Sequence, residues 1–458
     1  MRDMTKGHVG RHVLQLSAFI ALSTFFQTLY LIVDLYFVGR LGKEAIAGVG
    51  LAGNLTMIVL ALTQSLGVGA TSFIAQALGR RDRAQAEHVF NQAMVVSTLV
   101  GVAFGLTTFA LRWGYCRWLA ADEATAGFGV QYLNWFIPAL SMQFLLVGMG
   151  SALRGSGDLK IPTIMQIATV VINIILAPVL MFGWGTGVAL GVAGAALASF
   201  IAIALGCAAF VLYFYRKGSH LHFKPDQWSP EPRVWGRMLK VGLPVGGEFA
   251  LYSVYLVLVY DIIRPFGAAA QAGFGIGVRI MQSLFLPAVA IGFATAPVAG
   301  QNFGARLGDR VRQTFYAAAG MSLVVMLALT LLCHLAPSAL VRVFNQDPAV
   351  VSFGAEYLTI VSWTFAASGM IFVSSSIFQG MGHTMPALAS SVLRQVIFAI
   401  PAYAISRHAG FQMRHVWYLS AASVVIHMCV SLWLLHREFA RKLTFFTPAV
   451  ASPPELPG

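Results

Sequence analysis

A few ionisable side chains interrupt apolar stretches that are otherwise long enough to cross a membrane. Asp34 lies at the end of the first stretch, in "VDLYFVGRLG"; Glu248 begins "EFALYSVYLVLVY"; and Arg394 lies inside "SSVLRQVIFAIP". An ionisable group in a membrane-spanning segment costs about 2.5–3.5 kcal/mol on insertion scales, so each one indicates a site for an ion, a proton or a substrate. These three residues are the first candidates for chemistry.

Asp34 has the chemistry that ion-coupled transport requires. A carboxyl group in a low-dielectric cavity takes up a proton readily, and an approaching cation favours the release of that proton. Proton and cation then compete for one group, and each drives the protein towards the arrangement that it binds better. The simpler alternative is that Asp34 caps or orients the first helix near the membrane surface.

Glu248 is followed by Tyr252 and Tyr255 at i+4 and i+7, so all three share one helix face. A carboxylate between two aromatic faces can bind an organic cation. Alternatively, Glu248 is hydrogen-bonded to a neighbouring tyrosine for structure. Arg394 needs a partner at its depth, and Glu248 is its candidate counter-ion, which would weaken the role of Glu248 as a substrate ligand.

The apolar stretches that carry these residues predict an integral membrane protein. Hydrophobic residues make up 58% of the 458-residue chain and charged residues only 10%. Because a spanning helix needs about 20 mostly apolar residues, the chain is expected to contain twelve spans. They are centred within 13–38, 46–75, 90–111, 128–153, 161–183, 187–215, 238–263, 273–300, 314–336, 353–378, 385–406 and 416–436.

The distribution of basic residues predicts the orientation of these spans. Lys and Arg concentrate before the first span, in the even-numbered loops and after the last span, as in "RKGSHLHFKPDQWSPEPRVWGRMLK" at 216–240. The positive-inside rule then places both termini in the cytoplasm of a multi-pass protein of the cell (inner) membrane. The net charge of +13 is explained by these loops, and no nucleic-acid-binding module is visible.

The second half of the chain repeats the first at an offset of 225 residues. "LGKEAIAGVG" at 41–50 falls on "FGAAAQAGFG" at 266–275, and "RGSG" at 154–157 falls on "QGMG" at 379–382. Each repeat contains six spans, an even number, so the two copies have the same orientation. Parallel repeats of this kind are typical of transporters whose two bundles rock around a site between them.

The predicted fold is therefore all-α, with twelve transmembrane helices in two six-helix lobes. The expected division is an N-terminal lobe at 1–215, a basic cytoplasmic linker at 216–237, a C-terminal lobe at 238–440 and a disordered tail at 441–458.

Several segments together resemble the multidrug and toxic compound extrusion (MATE) family. They are "VDLYFVGRLG", "RGSGDLKIP" at 154–162, "GVAGAALAS" at 191–199, "VGLPVGG" at 241–247 and "GQNFGAR" at 300–306. The resemblance extends from about residue 11 to residue 440. It implies a two-lobed transporter that exports organic, often cationic, compounds in exchange for H⁺ or Na⁺.

The resemblance also implies a site in the first lobe. The family combines the first-helix acid with an Asn and an Asp one turn apart on the fifth helix and a hydroxyl on the sixth. In this chain the acid is Asp34, the Asn is Asn173 and the hydroxyl is Ser199, but Ala177 stands where the second acid is expected. A metal ion requires several oxygen ligands, whereas a proton requires one carboxyl, so H⁺ is favoured over Na⁺ as the coupling ion.

The second lobe departs further from the family pattern. Some branches carry a glutamate on the seventh helix and an aspartate on the tenth, where this chain has Tyr252 and Ser368. The substrate-binding candidates in this lobe are therefore Glu248, Tyr252, Tyr255 and Arg394.

Other functional classes find little support in the sequence. The chain has no motif of an enzyme, no filter-like loop of a channel, and four widely spaced cysteines without metal-ligand spacing. No cofactor is expected beyond the coupling ion, and the expected form is a monomer that binds a small organic cation. The alternative is a flippase of lipid-linked saccharides from the same superfamily, which would need several cavity arginines to bind pyrophosphate.

Overall fold

The computed structural model describes residues 3–185, 187–216, 221–408 and 410–444, and these contain helices and loops but no strands. The end of the predicted tail, at 445–458, lies outside the described residues. The helices are α1 Val9–Gly39, α2 Lys43–Gly50, α3 Ala52–Gly79, α4 Arg83–Leu119, α5 Glu123–Gly155, α6 Lys160–Phe182, α7 Val192–Tyr215, α8 Pro232–Ile263, α9 Ala268–Gly304, α10 Gly308–Leu335, α11 Pro337–Arg342, α12 Pro348–Val361, α13 Phe365–Gly380, α14 Met385–Ser406 and α15 Met413–Lys442.

Twelve helical segments in the described residues are long and apolar enough to span a membrane, which confirms the predicted fold. Two spans are each built from consecutive helices, α2 with α3 and α12 with α13. Several helices extend beyond the predicted apolar cores, as Arg83–Leu119 does around 90–111. Backbone groups near the membrane surface must still be hydrogen-bonded, so helices continue past the last apolar residue.

The backbone repeats at the offset of 225 residues. Arg81 and Arg306, which occupy equivalent positions, have φ values of 62° and 59° and are the non-glycine residues with positive φ in the described ranges. Gly42 and Gly267, also equivalent, have φ values of 108° and 88° before the second span of each copy. A left-handed arginine is unusual, so its recurrence at the same turn indicates that both copies fold alike.

The first helix of each copy begins in the core of the other lobe. Met4, Val9 and Val13 are buried with residues of α9 and α10 in the C-terminal lobe. In the same way, Val234 and Met238 of α8 are buried in the N-terminal lobe. This exchange joins the two lobes at the side of the bundle where the chain begins and α15 ends, which we call the terminal face.

Direct backbone contact holds the lobes together near the terminal face. A Cβ atom added at Gly79 would lie 2.0 Å from the Gln301 carbonyl oxygen, and one at Gly304 would lie 2.1 Å from that of Gln76. At Gly242 it would lie 1.6 Å from the Ser65 carbonyl oxygen. The last half of α3 and that of α9 are correspondingly almost fully buried, whereas their first halves, away from the terminal face, are much less buried.

The described part of the linker, 221–231, is tied to α4 rather than free. Asn91, fully buried, donates to the His222 carbonyl oxygen at 3.0 Å and accepts from the Lys224 backbone N–H at 2.9 Å. Gln92 donates to the Ser229 carbonyl oxygen at 2.8 Å. Helix α8 then begins at Pro232, inside the segment predicted as a linker.

Candidate functional site

A polar network connects α1, α6 and α7 within the first lobe. Asn173 Nδ2 donates to Ser199 Oγ at 3.0 Å, and Ser199 Oγ donates to the Ala195 carbonyl oxygen at 3.2 Å. The Tyr30 hydroxyl lies 3.1 Å from Ser199 Oγ. Because the Ser199 hydroxyl donates to Ala195, Tyr30 is the donor in this bond. The structure thus places Asn173 and Ser199 together and adds Tyr30, which the sequence reasoning missed.

Asp34 lies one helical turn beyond Tyr30 and makes no hydrogen bond to Asn173 or Ser199. Its Oδ1 atom is buried and has no hydrogen-bond partner among the described residues. The carboxylate is within electrostatic range of the Tyr30 and Tyr132 side chains. A buried unsatisfied acceptor costs about 1–3 kcal/mol, and more if charged, so this oxygen is free to bind a proton or a cation.

The position expected for a second acid is part of the hydrophobic core. Ala177 is 1% exposed and is packed among apolar residues of the first lobe. The site therefore contains one carboxyl. Tyr30 precedes Asp34 by four residues and shares its helix face, and this spacing is the sequence signal that could have identified the missed residue.

In the second lobe, Glu248 is hydrogen-bonded to α13. Its carboxylate accepts from Ser375 Oγ at 3.3 Å, and Gln379 Nε2 donates to the same Ser375 oxygen at 3.5 Å. The expected alternative, a bond from a neighbouring tyrosine, is not found among the described residues. Gln282 Nε2 instead donates to the Tyr252 hydroxyl at 3.2 Å. Glu248 therefore belongs to a chain of polar groups that runs to Gln379.

The expected ion pair between Glu248 and Arg394 is not present among the described residues. The Arg394 guanidinium carbon instead lies 5.3 Å from the centroid of the Tyr255 ring. Tyr255 is buried and hydrogen-bonded to Ser420 Oγ at 2.9 Å, with its ring 6.3 Å from that of Tyr252. The two charged residues are directed towards different neighbouring helices, which helix spacing alone does not reveal. The face of Tyr255 is accordingly used by Arg394.

A small hollow lies between the lobes, above their contact at the terminal face. Its volume is about 20 Å³, room for about one water molecule. Three pairs of equivalent positions line it: Val68 with Phe293, Thr71 with Ala296, and Arg154 with Gln379. Arg154 donates to Ser151 Oγ. The hollow therefore lies between equivalent residues of the two copies, close to the axis that relates them.

The family model MatE matches residues 20–179 and again 244–404, one match in each lobe. The chain belongs to the multidrug and toxic compound extrusion (MATE) family.

Relatives of this MATE protein fit that assignment. The multidrug export protein MepA of Staphylococcus haemolyticus is 25% identical over 83% of this chain and 84% of its own. An FAD transporter of Shewanella oneidensis is 22% identical, with 82% and 83% covered. A solved outward-facing conformation of a multidrug resistance MATE family transporter superposes with a TM-score of 0.89, at 21% identity, over 97% of this chain and 98% of that one.

Membership of the MATE family establishes the broad activity. This protein is a multi-pass membrane transporter of small organic compounds and not an enzyme. It departs from the pattern that the resemblance implied, since Ala177 is buried in the core and Tyr252 and Ser368 stand where some branches carry acids.

Proposed function

We propose that this MATE transporter is an H⁺-coupled antiporter that exports organic cations from the cell as a monomer. Asp34, next to the network of Tyr30, Asn173 and Ser199, is the proposed coupling site. Glu248 and Tyr252 are proposed to contact the substrate, with Tyr255 and Arg394 supporting them from the adjacent packing.

The observation that carries this proposal is the unpartnered oxygen of Asp34. Its Oδ1 is buried without a hydrogen-bond partner in the part of the chain that the structure describes. Tyr30, one turn earlier, is bonded to Ser199, which is bonded to Asn173. Protonation removes the charge, and a bound cation offsets it, so both ligands stabilise the same group. Since they compete, entry of one favours release of the other.

The donor set supports a proton rather than Na⁺. A sodium ion would need several oxygen ligands, but the Tyr30 and Ser199 hydroxyls are already bonded to each other, and Ala177 supplies no oxygen. Asp34 remains as one carboxylate. One carboxylate is sufficient for a proton and a poor cage for a metal ion.

The lobe arrangement supports alternating access. Contact between the lobes is concentrated at the terminal face, where glycines bring the backbones together. We infer from the basic loops that this face is cytoplasmic, in the cell (inner) membrane, so that the described arrangement is closed to the cytoplasm. Export would then require the lobes to separate at Gly79, Gly242 and Gly304.

Transport in proteoliposomes tests this proposal. Uptake of a fluorescent organic cation is measured under an imposed pH gradient or an imposed Na⁺ gradient, for wild type, Asp34→Asn and the control Asp309→Asn. Asp309 is an exposed carboxylate in the first turn of α10. We expect pH-driven transport to be lost in Asp34→Asn and kept in Asp309→Asn. Equal transport by all three proteins would reject the assignment of Asp34.

The same vesicles test the flippase alternative. Translocation of a lipid-linked saccharide without cation transport would favour a flippase and reject the proposed exporter. Arg154, which lines the hollow between the lobes, and Arg394, which lies over the Tyr255 ring, would then be the arginines to examine.

A further inference from the structure

A second cavity lies at the terminal face, away from the proposed coupling site. It has a volume of about 290 Å³ and is bounded by the end of α3, the start of α4 and the start of α8. Since a water molecule occupies about 30 Å³ in the liquid, this cavity has room for a polar group of several heavy atoms. Gln76, Arg80, Gln85 and Arg237 are among the residues that line it.

The charge in this cavity is positive. Arg80 and Arg237 are exposed and form no salt bridge within the described ranges of the chain. Arg237 lies over the Phe73 ring, with its guanidinium carbon 5.9 Å from the ring centroid. The acid of the cavity, Asp82, caps α4 by accepting from the Gln85 backbone N–H at 2.9 Å. The cavity lining thus contains two guanidinium groups and one carboxylate, and that carboxylate already accepts a hydrogen bond.

The internal repeat shows why this cavity is open. In the second copy, the equivalent residues are reached by adding 225 to each number, and Met4 is buried against them. Met4 is fully buried, its N–H donates to Gln301 Oε1 at 3.0 Å, and its carbonyl oxygen accepts from Arg310 Nη2 at 3.2 Å. Gln301 and Arg310 are the equivalents of Gln76 and Gln85.

The chain takes a different path in the first copy. The residue equivalent to Met4 is Ser229, whose carbonyl oxygen accepts from Gln92 Nε2 at 2.8 Å. The backbone N–H of Glu231 is also bound by Gln92, at 3.1 Å. This part of the linker is therefore tied to α4 and does not occupy the cavity as Met4 does in the other copy. Arg80 and Arg237 line the vacant space.

We propose that this cavity is an anion site that binds a phosphate group, and that the bound phosphate links α3 to α8. Arginine binds phosphate by paired N–H donors, and basic pockets between spanning helices at the cytoplasmic membrane surface bind phosphate-bearing lipid headgroups. Arg80 belongs to the first lobe, and Arg237 lies next to Met238, where α8 touches Gly69 of α3. A phosphate held by both arginines therefore stabilises the contact between the lobes.

Lipid titration tests this site. Phosphatidylglycerol is titrated into the detergent-solubilised full chain, with phosphatidylcholine as the neutral comparison, and binding is followed by native mass spectrometry. Each arginine near an anionic lipid contributes about fivefold in affinity, so Arg80→Gln/Arg237→Gln should bind phosphatidylglycerol roughly 25-fold more weakly. Arg233→Gln is the matched control, because Arg233 is exposed one turn earlier on α8 and does not line the cavity.

Gln85→Glu tests the site without removing an arginine. A new carboxylate in the cavity should weaken phosphatidylglycerol binding, and glutamate in the first turn of a helix is well tolerated. Competition by inorganic phosphate identifies the source of the ligand: displacement of the lipid at low concentration supports a soluble phosphate, and no displacement supports the lipid headgroup. The proposal is overturned if the double variant binds like wild type, or if Arg233→Gln weakens binding equally.

Discussion

The two copies of the repeat keep the same tyrosines but surround them differently. Tyr30 is equivalent to Tyr255, and Tyr132 is equivalent to Tyr357. The Tyr30 hydroxyl is hydrogen-bonded to Ser199 Oγ at 3.1 Å, and the Tyr255 hydroxyl is hydrogen-bonded to Ser420 Oγ at 2.9 Å. Both lobes therefore contain a tyrosine-to-serine contact, although the serines lie one helical turn apart in the repeat, because Ser420 corresponds to Ala195.

The other residues of the first-lobe site, Asp34 and Asn173, have equivalents of different chemistry in the second copy. Asp34 corresponds to Val259, which is fully buried, and Asn173 corresponds to Phe398, whose ring centroid lies 5.0 Å from that of Tyr255. One copy thus has a carboxyl group and an amide at these two positions, and the other has an aliphatic and an aromatic side chain. The two copies share the scaffold, and the carboxyl group that we propose for coupling lies in the first lobe.

Exchanging the acid between the copies should have the largest effect. Asp34→Val should abolish pH-driven transport. Adding Val259→Asp to that variant should not restore it, because position 259 is fully buried, whereas Asp34 is partly exposed and can exchange protons. A buried unpartnered acid should also destabilise the second lobe by several kcal/mol. Vesicle transport and thermal unfolding of the single and double variants check this expectation. Recovery of transport in the double variant would show that the two copies are interchangeable.

Substitutions at the two equivalent glycines of the lobe contact should lower the melting temperature equally. Gly79→Ala and Gly304→Ala each force a Cβ against a carbonyl oxygen of the other lobe, at 2.0 and 2.1 Å. Overpacking of this kind costs about 1–3 kcal/mol, so both variants should lower the melting temperature by similar amounts.

Gly39→Ala is the control for this pair, because a Cβ there meets no atom within 4 Å. It should leave the melting temperature unchanged or raise it slightly. A loss of stability at only one of Gly79 and Gly304 would contradict the structural equivalence of the two copies.

Removing the amide of the first lobe should have an intermediate effect. Asn173→Leu deletes the bond to Ser199 and brings the site closer to the composition of the second copy. A lost buried hydrogen bond of about 1.4 kcal/mol corresponds to a tenfold change, so pH-driven transport should fall by about tenfold. Thr169→Val, one turn earlier on α6, should change transport little, because among the described residues its hydroxyl is bonded to Met165 of the same helix.

Neutralising Glu248, the acid of the second lobe, should have the smallest effect on coupling. Glu248→Gln should raise the substrate concentration for half-maximal transport by about fivefold, the loss expected for about 1 kcal/mol of cation binding, and leave transport pH-driven. Glu44→Gln, at an exposed carboxylate, is the control. An unchanged half-maximal concentration in Glu248→Gln would assign Glu248 a structural role with Ser375.

Much of the fold could be predicted from the sequence, because hydropathy depends on each residue and its near neighbours. The twelve spans and the repeat follow from apolar length and from the recurrence of turns such as those at Gly42 and Gly267. The path of the linker could not be predicted, since it depends on Asn91 and Gln92, two buried amides of a distant helix.

The candidate site was harder to predict than the fold. Asp34 stands out in an apolar stretch, but Tyr30 resembles an ordinary membrane aromatic until Ser199 is found next to it. The pairing of Glu248 with Arg394 was wrong because it assumed that two charges in neighbouring spans meet. Each is directed towards a different helix, and packing between helices decides that direction.

Proton release on substrate binding tests the central claim most directly. An organic cation is added to the purified transporter in weakly buffered detergent solution at mildly acidic to neutral pH, and the released protons are counted with a pH indicator. Wild type and Glu248→Gln, under saturating cation, should each release up to about one proton per bound cation, and Asp34→Asn should release none. Equal release by Asp34→Asn and wild type would contradict the assignment of coupling to the first lobe.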